Sequence, residues 1–157
     1  MGGGDPDLTL STLDSLAQII SKTGNQYQNL ILDDSFHDEQ TYGEGWMWDE
    51  GSWWYAAQIS ALSVNDNCVD FYVSPGDLND HAKIISHPNT KYIDLINQSK
   101  TVNKTTGFEK FKIERDWKNQ SNQFSISGFL MDTSSTDTIY RNVNDPTLFT
   151  GTVFNEM

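Results

Sequence analysis

The chain has 157 residues and a formal net charge of −12, with 10 Lys and Arg against 22 Asp and Glu. That balance argues against nucleic acid and anionic membrane surfaces as partners, because both are held through cations that are scarce here. An apolar content of 36% is that of a folded chain with room for one domain or two small ones, and a single cysteine, Cys68, rules out an internal disulfide framework and a Cys-based zinc cluster.

The first six residues, Met-Gly-Gly-Gly-Asp-Pro, have no apolar signal core, and Pro6 breaks the myristoylation pattern. An initiator Met before a glycine-rich loop suggests a polypeptide cut from a longer one. Ser11 reads as a helix N-cap with Asp14 at N3, followed by Leu13, Leu16, Ala17 and Ile20 at helical spacing and by Gly24 as the stop. Residues 27–32 are a short apolar run suited to a buried strand, ending on Asp33 and Asp34. Residues 57–64 and 68–73 read as two strands joined by Asn65-Asp66-Asn67 in an antiparallel hairpin, with Val69, Phe71 and Val73 on one face. Cys68 sits in that alternation as a small buried hydrophobe.

Past Pro75-Gly76-Asp77 the texture changes. Alternating runs at 83–86, 92–96, 108–117 and 123–130 are separated by polar turns, and none carries helical spacing. Residues 138–143 suggest one more strand. Asp145 and Pro146 then form an N-cap and N1 pair for a helix reaching Met157. No apolar run approaches the ~18 residues that cross a bilayer. The expected fold class is mixed α+β or α/β, a small α/β sandwich subdomain with a nested all-β subdomain. Its expected parts are residues 1–75, 76–132 and 133–157, the last returning to the α/β subdomain.

Four of the five tryptophans fall in the segment Gly45-Trp46-Met47-Trp48-Asp49-Glu50-Gly51-Ser52-Trp53-Trp54-Tyr55. Full burial of four indoles would be worth at most ~20 kcal/mol at ~25 cal/mol per Å². The segment is therefore either core or the wall of a site. Asp49 and Glu50 among rings are costly to bury, so they are solvated, paired, or facing a cationic ligand. The alternative is that Trp48 and Tyr55 are plain core and Asp49 caps a turn near Gly51.

Together with Gly2-Gly3-Gly4-Asp5-Pro6, Leu30-Ile31-Leu32-Asp33-Asp34-Ser35, Asn65-Asp66-Asn67-Cys68-Val69-Asp70 and Asp145-Pro146-Thr147-Leu148-Phe149-Thr150-Gly151, this segment resembles the penicillin-binding D-alanyl-D-alanine carboxypeptidases with a large insertion in the transpeptidase domain. The likeness spans nearly the whole chain and is weak between about residues 77 and 137. It is a likeness to the insertion rather than to the enzyme around it. Serine penicilloyl enzymes need Ser-x-x-Lys, so that the amine can take the hydroxyl proton. That motif is absent, and Thr101-Val102-Asn103-Lys104 is the nearest spelling. The family's other motifs occur literally as Ser63-Val64-Asn65 and Lys22-Thr23-Gly24, but in reversed order and in turn-like settings, so both read as structural.

The resemblance implies an accessory role without a catalytic residue, cofactor or metal in this chain. An acid and neighbouring aromatics of the insertion would contact the free end of a peptidoglycan stem peptide. By position Asp49 fits as the acid, flanked by Trp46 and Trp54, with Glu50 as the register alternative. Implied partners are the remainder of a parent transpeptidase-fold domain and the stem peptide, with no nucleic acid and no membrane span in this chain. The parent would be extracytoplasmic, in the cell envelope. Two other readings stay open: a stand-alone peptidoglycan- or peptide-binding module using the Trp/Asp patch, and a hydrolase using Asp33 and Asp34. No His or third acid is spaced to complete a metal set with that pair, which also suits turn chemistry. Trp117, near Arg115 and Lys118, suggests a sugar-stacking face or plain strand packing. Asn97, Asn103 and Asn119 head Asn-x-Ser/Thr triplets read as chance matches to a glycosylation signal.

Overall fold

In the computed structural model, which describes residues 2–5, 8–37, 40–46, 48–104 and 109–157, with the side chain of Trp48 left aside, the chain divides into two compact units. One combines residues 1–68 with 142–157, and the other is 69–141. The start of the run expected at 108–117 lies outside the described residues.

In the first unit, helix α1 spans Leu10–Ser21. Its N-cap is Thr9, whose hydroxyl accepts from the Thr12 N–H at 3.2 Å, so the helix begins two residues before the expected Ser11 cap. Thr9 is in extended backbone, as capping requires, whereas Ser11 is already helical and bonds back to the Thr9 hydroxyl. Gly24, with φ of +69°, ends the element as expected. Helix α2 spans Pro146–Glu156 and opens on Asp145, whose carboxylate accepts from the Leu148 N–H at 2.9 Å. The two helices pack together, and Leu32 lies against Gly151, where a Cβ would collide with the leucine.

Two expected strands of this unit are absent. Residues 27–32 have no regular structure and pair with no strand, and Ile31 is 85% exposed. Residues 57–64 are irregular: the isolated backbone bonds from the Ile59 N–H to the Thr41 carbonyl and from the Gly4 N–H to the Ala61 carbonyl form no ladder, and side chains make further ties. Asn67 donates to the Gln58 carbonyl and the Ser63 hydroxyl, and the Ser60 hydroxyl meets Thr147. Asn65, Asp66 and Asn67 all have left-handed backbone, φ 51–55°, which makes a single 3-10 turn rather than a hairpin.

The second unit is built of short strands. Strand β1 (Cys68–Ser74) pairs antiparallel with β2 (Lys83–His87), Tyr72 opposite Ile85, and is flanked on its other side by β8 (Asp137–Asn142). A second sheet runs β3 (Asp94–Asn97), β6 (Gln123–Ser127), β5 (Lys112–Arg115), parallel across the first pair and antiparallel across the second. A two-stranded parallel sheet joins β4 (Lys100–Val102) to β7 (Phe129–Met131). Val69, Phe71 and Val73 are buried on one face as the alternation requires, and Ile113, Phe124 and Ile126 of the second sheet are buried as well. The rings of Phe71 and Phe124 are 5.1 Å apart. Mixed α/β content in several small sheets with two helices agrees with the expected fold class.

Candidate functional site

The tryptophan segment is two short 3-10 turns, Trp48–Glu50 and Trp54–Ala56, joined where the Trp53 N–H donates to the Glu50 carbonyl at 2.9 Å. Local sequence alone would not hold turns this short. Asn142, 1% exposed, does so: its side-chain amide donates to the carbonyls of Trp53 at 2.8 Å and Ala56 at 2.9 Å. Gln58 adds a second brace, donating to the Tyr42 hydroxyl at 3.1 Å and accepting from the Asp145 N–H at 2.7 Å.

Held this way, the rings face outward. Trp46, Trp53, Tyr55 and Trp54 are between 41% and 56% exposed, so about half of the burial available to these three indoles and the phenol is not realised among the described residues. Trp53 stacks on Tyr55 at 6.1 Å and 10°, Trp54 meets Tyr55 edge-on at 5.8 Å, and Tyr42 meets Trp46 edge-on at 6.2 Å. Tyr55 is thus surface, not core. Asp49 is exposed and Glu50 half-buried, and neither carboxylate has an ion-pair or hydrogen-bond partner among the described residues. Trp54 and Trp46 belong to separate ring pairs. Unneutralised acids beside exposed rings make a surface suited to a cationic ligand with some apolar length. Asn142, Gln58 and Tyr42 were not singled out from sequence, although an Asn inside a run of strand-formers is itself a signal of a buried polar clamp.

The other candidates resolve into structure. Asp33 Oδ1 accepts from the hydroxyl and N–H of Ser35, at 2.7 and 3.2 Å, and these bonds, the hydroxyl's first, hold its carboxyl below the usual range. Asp34 accepts from the Thr147 hydroxyl at 2.6 Å, tying the loop to α2. A carboxyl with a depressed pKa stabilises the fold above its unfolded value and loses that contribution as pH falls through the folded one. Ser35→Ala should therefore raise the Asp33 titration midpoint, followed by carboxyl carbon NMR. An unchanged midpoint would mean that the turn does not form in solution.

Lys22-Thr23-Gly24 is the α1 terminus, with Lys22 as C-cap. Ser63-Val64-Asn65 is a turn in which Ser63 bonds to the Ser60 carbonyl and Asn65 to the Cys68 carbonyl. Neither motif lies on a strand edge. The Asn97 side chain is engaged with Ala82 and Ser99, as turn chemistry within the sheet. Trp117 is half-buried in a 3-10 turn with the Lys118 ammonium 5.5 Å from its ring, so its exposed part already has a cation beside it.

Comparison with known proteins bears on the fold and the family. A solved structure of penicillin binding protein 4 (dacB) from Haemophilus influenzae superposes on 99% of the chain with a TM-score of 0.73 at 18% identity, over 34% of its own length. A D-alanyl-D-alanine carboxypeptidase of Actinomadura sp. (strain R39) is 25% identical over 99% of the chain and 30% of the relative. The Haemophilus influenzae carboxypeptidase DacB is 32% identical over 81 residues, 17% of its length. The chain thus spans about a third or less of these relatives. Since the profile of the D-Ala-D-Ala carboxypeptidase 3 (S13) family matches residues 1–157 from end to end, the chain belongs to that family.

Proposed function

We propose that this chain is the accessory insertion of a cell-wall D-Ala-D-Ala carboxypeptidase, a penicillin-binding protein working outside the cytoplasmic membrane. It shapes the substrate cleft for peptidoglycan stem peptides and supplies no nucleophile. One observation carries the reading: a chain matching the family along its whole length holds no Ser-x-x-Lys. The exposed acids and rings of residues 46–55 support a wall rather than a reaction centre. Asp49 would meet the ammonium of the stem peptide's side-chain terminus, with Trp46 and Trp54 along its apolar length and Glu50 as the alternative acid.

Fluorescent penicillin should label the full-length protein containing this chain and leave the 157-residue polypeptide unlabelled. In the full-length protein, Asp49→Ala or Trp54→Ala should raise KM for a stem peptide with a free side-chain amine by roughly tenfold, as expected for loss of one charge-assisted contact worth ~1.5–3 kcal/mol. A denaturation-resistant adduct on the 157-residue chain would refute the accessory reading. The unpartnered state of Asp49 also favours a second reading, a module that binds muropeptides alone. Tryptophan quenching in a muropeptide titration of the isolated chain, lost in Asp49→Ala, would select it.

A further inference from the structure

The loop joining β5 to β6 is cross-braced. The Asp116 N–H donates to the Gln123 carbonyl at 2.9 Å, and the Ser121 N–H to the Asp116 carbonyl at 3.1 Å. Gln120 turns the chain in left-handed backbone, with φ of +52°. The Asn119 amide donates to both carboxylate oxygens of Asp116, at 3.0 and 2.9 Å. Arg115, 3% exposed, donates to the Ser121 carbonyl at 3.1 Å, so a buried guanidinium is part of the brace. These bonds fix the 3-10 turn Trp117–Asn119 and, with it, the half-buried Trp117.

Trp117 lines a cleft of about 530 Å³, within the ~300–1,000 Å³ usual for small-ligand sites. The strands supply the rest of the lining. Glu114 and Ser125 stand opposite each other in the β5–β6 register and both are exposed; Gln123, two residues from Ser125, shares their face. Glu114 meets the Lys112 ammonium at 3.2 Å through Oε2. Formal charges in the lining cancel, Arg115 and Lys118 against Glu114 and Asp116. In a chain of net charge −12, such a balanced cleft selects neither an anion nor a cation. It offers an indole face for C–H groups, and a carboxylate, an amide and a hydroxyl for a ligand rich in hydroxyls. An uncharged molecule with an apolar face and a rim of hydroxyls is a pyranose sugar. A half-buried indole by itself needs only packing; the hydrogen-bonding cleft beside it is what points to a ligand.

We propose that this cleft binds pyranose units of an uncharged glycan, one sugar face resting on the Trp117 indole and its hydroxyls meeting Glu114, Gln123 and Ser125. Lys118 ends a flexible stem 5.5 Å from the ring centroid. A sugar face can replace that contact while the ammonium turns to donate to a hydroxyl. Resting on the cell-wall reading, the glycan is the peptidoglycan strand that carries the stem peptide. Residues 69–141 then hold the polymer, a task separate from the peptide contacts of residues 46–55.

Nuclear magnetic resonance of the 157-residue chain tests this, using tetra-N-acetylchitotetraose as an uncharged amino-sugar probe and the five tryptophan indole N–H signals as reporters. Titration should shift the Trp117 signal, assigned by its loss in Trp117→Phe, with the same midpoint at ~0.02 M and ~0.2 M salt. Gln123→Ala, at an exposed position, should weaken binding roughly fivefold, the loss of about one hydrogen bond, and leave the other four indole signals in place. An unmoved Trp117 signal at millimolar probe would overturn the proposal. So would shifts confined to the indoles of residues 46–54, which would put the glycan on the aromatic segment, or a tenfold loss of affinity with salt, which would make the ligand an ion. Penicillin labelling of the full-length protein reads the cell-wall assignment separately: a Trp117 shift without label keeps the sugar cleft and removes the enzyme role, and label without a shift does the converse.

Discussion

Phe124→Ala should remove ~3–5 kcal/mol from the unit formed by residues 69–141, the range for deleting a buried aromatic ring. Phe124 is fully buried on β6, the central strand of its sheet, with Leu95 and Arg115 as its register neighbours and the Phe71 ring 5.1 Å away. β1 and β6 belong to different sheets, so this ring pair holds two layers together. Strands of three to seven residues contribute few ladder bonds each, which leaves packing to decide stability. Against a total of ~5–15 kcal/mol for a small domain, the loss should turn one cooperative transition into early melting of this unit. Ile85→Ala, at a residue 67% exposed, should stay within ~0.5 kcal/mol. A urea midpoint for Phe124→Ala equal to the parent's would show that the core does not centre on this pair.

What could be read in advance follows how local each determinant is. The α2 boundary is written in Asp145 and Pro146, where the cap and its acceptor are three residues apart. β1 announces itself by strict alternation, and its buried Val69, Phe71 and Val73 are the residues expected. β4 does not, because Lys-Thr-Val carries no pattern; Thr101 is buried as the acceptor for the Gly76 N–H, 25 residues away. Residues 57–64 and 27–32 share one ambiguity. Short apolar runs are compatible with a strand, but only a neighbour makes one, and neither has a neighbouring strand here. In the aromatic segment the residue types were legible as wall or core, but their exposure depends on a clamp 86 to 89 residues downstream.

That clamp gives the second large expected effect. Asn142→Asp keeps size and shape but exchanges a two-hydrogen donor for an acceptor facing the Trp53 and Ala56 carbonyls. Two bonds worth ~0.5–1.5 kcal/mol each are lost, and a carboxylate that is 1% exposed adds a desolvation cost of several kcal/mol if it stays ionised. The group lowers that cost by holding its proton, so its folded pKa rises above the unfolded value near 3.9. A raised carboxyl destabilises the fold most at high pH, and the deficit shrinks as pH falls toward the unfolded value. Asn142→Asp should therefore be less stable than Asn142→Ala at pH 8 and approach it near pH 5, read by denaturant midpoints. Both should release the turn at Trp54–Ala56 and alter tryptophan emission before global unfolding, since Trp53, Trp54 and Tyr55 ride on it. In the full-length protein the same variants should raise KM for stem peptides without touching Asp49 or Trp54. A pH-independent gap between the two variants would mean the Asn142 amide is not enclosed as described, and the rigid wall would lose its physical basis.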